Sequence, residues 1–174
     1  MKKITVALSA FLALFIISCE GPQGVPGNDG FDGSDFEAAA FEIEIDMTLN
    51  ANLNRYEFTA EPFPNDITLL VDDVILIYRL EEVNNGVDVW RQLPQPFLTD
   101  DGLLFYNFDF TLDDYGIFVE PDFDAAIVPL DLVSDQVFRI VVLPANLGTA
   151  KIDTSNLKSV LSALNIEEKN IKRL

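Results

Sequence analysis

The chain has 174 residues, 49% hydrophobic and 23% charged, with fourteen phenylalanines, enough for one packed domain and too apolar for a chain disordered throughout. Acids outnumber bases 29 to 11, a net charge of −18, and such a field repels phosphate backbones, which excludes nucleic acid as a partner. Histidine is absent and cysteine occurs once, which excludes histidine triads, internal disulfides and Cys/His zinc sites, so the fold must stand on packing alone.

Met1-Lys2-Lys3 leads into fourteen mostly apolar residues, Ile4 to Ile17, the proportions of a secretory signal peptide. A spanning helix needs about 20 apolar residues, so residues 1–18 read as a cleaved signal rather than an anchor. The stretch Ile16-Ile17-Ser18-Cys19 resembles the lipobox of bacterial lipoproteins. That resemblance implies a diacylglyceryl group on the Cys19 thiol, cleavage just before it, and a further acyl chain such as palmitate on the new amino group. Two or three acyl chains hold a protein on a bilayer stably, where one holds it only marginally.

From Gly21 the chain reads GPQ-GVP-GND-GFD-GSD, with Gly21, Gly24, Gly27, Gly30 and Gly33 each opening a triplet. This is a collagen-like G-x-y pattern. Only Pro22 and Pro26 stiffen it, and Asp29, Asp32 and Asp35 would face like charges across a trimer. Residues 19–36 are therefore expected to be a flexible single-chain tether on a monomer, with a triple helix as the alternative. Extended at about 3.1 Å per residue, such a segment reaches roughly 45 Å, enough to lift a domain clear of lipid headgroups. Its acids recur every third residue and do not match the alternate-position pattern of a calcium loop.

Residues 37–152 change character. In "FEIEIDM", Phe41, Ile43, Ile45 and Met47 alternate with Glu42, Glu44 and Asp46; in "RYEFTAE", Tyr56, Phe58 and Ala60 alternate with Arg55, Glu57, Thr59 and Glu61. Both are patterns of half-buried strands. "VILIYRLEEVNNGVDVWRQLP" places Asn84-Asn85-Gly86 between two apolar runs, the signal of a tight hairpin. "LLFYNFDFTL" sets Leu104, Tyr106, Phe108, Phe110 and Leu112 on one side, and "QVFRIVVLP" is apolar on both, as a strand covered on two faces would be. "NDI", "TDDG", "LDDYG" and "EPDFD" read as turns. The expected fold is all-β: an antiparallel, immunoglobulin-like two-sheet sandwich.

One helix is expected within residues 153–174, where Leu157, Val160, Leu161 and Leu164 share a face behind Asp153-Thr154-Ser155. It is expected to pack on an open edge or end of the sandwich. The lipobox, the triplet tether and segments such as "VILIYRLEEVNNGVDVWRQLPQPF" and "DQVFRIVVLPANL" together resemble small collagen-like lipoproteins of Bacteroidota. The resemblance implies an outer-membrane lipoprotein of the cell envelope and no particular activity. In those bacteria an acidic stretch just after the cysteine resembles a surface-export signal; here Glu20 is the only acid close behind Cys19, so the periplasmic and surface faces both stay open.

Three acidic pairs, Asp72-Asp73, Asp100-Asp101 and Asp113-Asp114, would hold Ca²⁺ if they met at one end of the sandwich; as ordinary turn residues they need no metal. Paired carboxylates can also hydrolyse glycosides without histidine, but no spacing here singles out such a pair. No catalytic residue, metal site or cofactor is therefore assigned. Trp90, on the face of Asp88 and Gln92, is the candidate ligand contact. The expected function is a membrane-anchored binding, adhesive or structural module whose partner is a protein or glycan. A calcium-assisted carbohydrate-binding domain is the alternative.

Overall fold

The computed structural model describes residues 39–147 and 152–174. The segment read as a signal peptide, Cys19, and Gly21, Gly24, Gly27, Gly30 and Gly33 of the expected tether lie outside these residues. Ten strands, β1 (Ala40–Ile45), β2 (Thr48–Asn50), β3 (Arg55–Pro62), β4 (Val74–Asn84), β5 (Val87–Gln92), β6 (Gln95–Leu98), β7 (Leu103–Phe110), β8 (Asp114–Pro121), β9 (Gln136–Leu143) and β10 (Lys172–Arg173), form two sheets. Their orders are β10-β1-β9-β4-β5 and β2-β3-β8-β7-β6. All pairings are antiparallel except β1 with β10. The expected two-sheet sandwich is thus present, with the layering of an immunoglobulin-like domain and a strand order of its own.

The alternation in β1 works as read: Phe41, Ile43 and Ile45 are buried between the sheets, while Glu44 and Asp46 are exposed. In β3 it breaks. A bulge between Phe58 and Glu61 gives the strand an extra residue, and Ala60, expected in the core, is exposed with φ +56°. The face of β7 also runs out. Leu104 and Tyr106 are fully buried, but Phe110 and Leu112 are exposed, because the strand ends in a turn where Thr111 Oγ1 donates to Asp114 Oδ1 at 2.7 Å.

The β4–β5 hairpin closes as predicted, with Asn84 opposite Val87 and Asn85 and Gly86 at φ +52° and +79°, the two-residue geometry that favours Asn-Gly. Strand β8 was hidden from the sequence between two turn clusters. Gly116 interrupts its apolar run, and a Cβ there would meet Asp109 Oδ1 at 2.9 Å, a contact the exposed Asp109 side chain can relieve by moving.

Helix α1 (Leu157–Ala163) presents the expected face, but not to an edge. Leu157, Val160, Leu161 and Leu164 pack with Leu76, Tyr78 and Val141 on the outer face of the first sheet. Those three side chains explain the placement, since an apolar outer face on β4 and β9 has to be covered. The cap is the residue after the predicted signal, Asn156, which accepts from Ser159 N. The chain then returns as β10 beside β1.

Tyr78, Tyr106 and Tyr115 are buried, and burial raises the pKa of each phenol above its ordinary value; for Tyr106 it is pushed up to about 12. Folding therefore favours the protonated form. This stabilisation is complete below about pH 10, the unfolded value, and is lost as pH rises through the folded values. Urea midpoints are expected to be level across neutral pH and to fall steeply above about pH 10; a midpoint unchanged there would contradict the burial of these hydroxyls.

Candidate functional site

Pairing across the first sheet lines up Arg173, Glu42, Arg139, Tyr78 and Gln92 on one rung of its outer face. Arg139 comes from β9, which has neighbours on both sides, and its residue exposure is only 5%. Its Nη2 donates to Glu42 Oε2 at 2.9 Å. Its Nε and Nη1 have no partner. The Trp90 ring covers the guanidinium at 4.1 Å from its centroid, an arrangement whose attraction strengthens as water is excluded. Arg173 reaches Glu42 at 3.7 Å and also pairs with Glu44.

Trp90 is half-buried and lies on the face predicted for it. Opposite Leu80 on β5, it packs against the apolar layer under α1. The segment before the helix is pinned nearby, where Tyr78 Oη donates to Thr154 O at 2.5 Å. Trp90 lines two cavities. One, about 730 Å³, is lined by Val87, Asp88, Trp90, Asp153, Lys158 and Glu168 among others. The other, about 630 Å³, is lined by Glu81, Trp90, Arg91, Gln92, Pro94, Gln95, Pro96 and Ser155.

A bulge in β4 between Leu80 and Glu82 makes Glu81 the extra residue there, and its carboxylate pairs with Arg91 and accepts from Gln95 Nε2 at 3.3 Å. Gln95 is buried, and its Oε1 has no hydrogen-bond partner. On the inner face of the same sheet, Arg79 donates to Gln136 Oε1 at 2.8 Å and lies 4.2 Å from the Tyr106 ring centroid. A third cavity, about 670 Å³, opens beside β1 and β10 and is lined by Ile43, Ile45, Phe58, Tyr115, Lys172 and Leu174 among others.

The three acidic pairs do not converge. Asp100-Asp101 lie in the β6–β7 turn and Asp113-Asp114 at the start of β8, so the eight residues of β7 hold them roughly 25 Å apart. Asp73 is spent locally, accepting from Leu70 N at 3.0 Å and Ala145 N at 3.3 Å. Among the described residues, no three Asp, Glu, Cys or His side chains are placed to share a metal ion. No helix among them is long and apolar enough to cross a membrane.

Sequence reasoning placed Trp90 on a partly exposed face, as the structure has it, and did not single out Arg139, Glu42 or Gln95. The arginine did leave a signal: a cation inside "QVFRIVVLP", a strand read as covered on both faces, requires a partner and a cover. The glutamine left none, because its burial depends on the crossing from β5 into the opposite sheet. The class defined by this geometry is a two-sheet β-sandwich with one aromatic-centred polar face. The chain matches no family model, no curated protein and no solved structure.

Proposed function

We propose that the protein is an outer-membrane lipoprotein, anchored through acylated Cys19, whose acidic sandwich is a non-catalytic module that binds a protein or glycan around Trp90. The observation that carries the binding half is the half-exposed indole, backed by a buried guanidinium and bordered by two polar-lined cavities. An aromatic held in one orientation loses little freedom when a ligand stacks on it. The anchoring half is supported by Cys19 standing directly behind an apolar segment too short to span.

The calcium-assisted version of carbohydrate binding loses its main support, since β7 holds two of the acidic pairs apart. In cells, the wild-type chain should partition with membranes as a processed form, whereas Cys19→Ala should accumulate as the uncleaved precursor. Normal processing and membrane partition of Cys19→Ala would overturn the anchor.

A further inference from the structure

The 630 Å³ cavity beside Trp90 falls within the size range of small-molecule sites, and its lining is chemically specific. Trp90, Pro94 and Pro96 offer apolar surface. Gln92, Gln95, Glu81, Arg91 and Ser155 offer both donors and acceptors. The two charges among them, Glu81 and Arg91, are paired with each other, so a charged ligand would find no free counter-charge here, and a polyanion would also meet the net charge of −18.

Within this lining, Gln95 is 6% exposed with Oε1 lacking any donor. A buried acceptor in that state is costly, and because Oε1 is itself closed to solvent, a ligand hydroxyl relieves the cost once the Gln95 amide turns toward the cavity. The indole is fixed on one side by Arg139. We propose that this cavity binds a neutral saccharide, its C–H face against Trp90 and a hydroxyl donating to Gln95 Oε1, an assignment that rests on the binding-module reading above. The neighbouring cavity is less suited, because Asp88, Asp153, Lys158 and Glu168 line it with charge. None of the buried unpaired polar atoms belongs to a residue lining the cavity beside β10.

Trp90 is the only tryptophan of the chain, so its fluorescence reports on the indole and the two cavities it lines, and substitutions at Gln95 and Gln92, which line only the 630 Å³ cavity, assign the response. The full-length lipidated protein, in a detergent without a sugar headgroup, is titrated with neutral gluco-, manno-, galacto- and xylo-oligosaccharides and with uronic-acid and amino-sugar counterparts. At least one neutral oligosaccharide should change the emission saturably and bind more tightly than its charged counterparts. Gln95→Leu should weaken that binding about tenfold or more. Gln92→Ala, at a half-buried position on the cavity rim, supplies the same test should Gln95→Leu fail to fold.

Silence of Trp90 with every neutral oligosaccharide overturns the proposal, as does binding that neither substitution weakens or that favours a charged sugar. A photo-crosslinker at position 91 separates the two levels. Capture of a protein there with no saccharide response overturns the saccharide and leaves the module reading standing. No capture and no response removes both.

Discussion

Alanine in place of Phe138 is expected to cost about 3–5 kcal/mol, a large share of the roughly 5–15 kcal/mol that holds a domain folded. Phe138 is fully buried between the sheets on β9, where Ile43 of β1 and Arg79 of β4 flank it in register. Backbone pairing on both sides prevents the strand from moving inward to fill the vacated volume, so the cavity term adds to the lost burial. Urea unfolding should show a lower midpoint with an unchanged slope. A loss below about 1 kcal/mol would mean that this part of the sandwich relaxes freely.

The second large effect is an asymmetry across one ion pair. Glu42→Leu removes the only hydrogen-bond partner that the described residues give the Arg139 guanidinium, whose Nε and Nη1 have none among them. A buried charge left alone costs about 3–5 kcal/mol. Arg139→Met should be far milder, because a flexible thioether can still pack under Trp90, and Glu42 keeps Arg173 within 3.7 Å. Thermal melts of the two variants should therefore differ widely, with Glu42→Leu the lower. Equal losses would show that the guanidinium is not desolvated.

The features legible in the sequence are those set by local pattern. Phe41, Ile43 and Ile45 announce β1 by alternation, Asn85-Gly86 announces its hairpin, and the doubly apolar "FRIVV" announces a strand covered on both faces, though not that α1 supplies one of the covers. Features that depend on register were hidden. The bulge at Ala60 turns a predicted core residue outward, and β10 is two charged residues, Lys172 and Arg173, that become a strand only because β1 offers an edge. Trp90 was legible as a face; the burial of Arg139 under it was not, since that needs β5 and β9 aligned on either side of β4.

The unpaired atoms of Gln95 and Arg139 and the half-exposed Trp90 make a site only if the domain is presented to the envelope. In the proposed function, that presentation runs through acylated Cys19. The most direct test is the intact mass and N-terminal peptide of the protein purified from membranes. The account predicts a chain beginning at Cys19, lacking residues 1–18 and heavier than its polypeptide by a diacylglyceryl group and a further acyl chain. A chain that retains Met1 with an unmodified Cys19 thiol would contradict it.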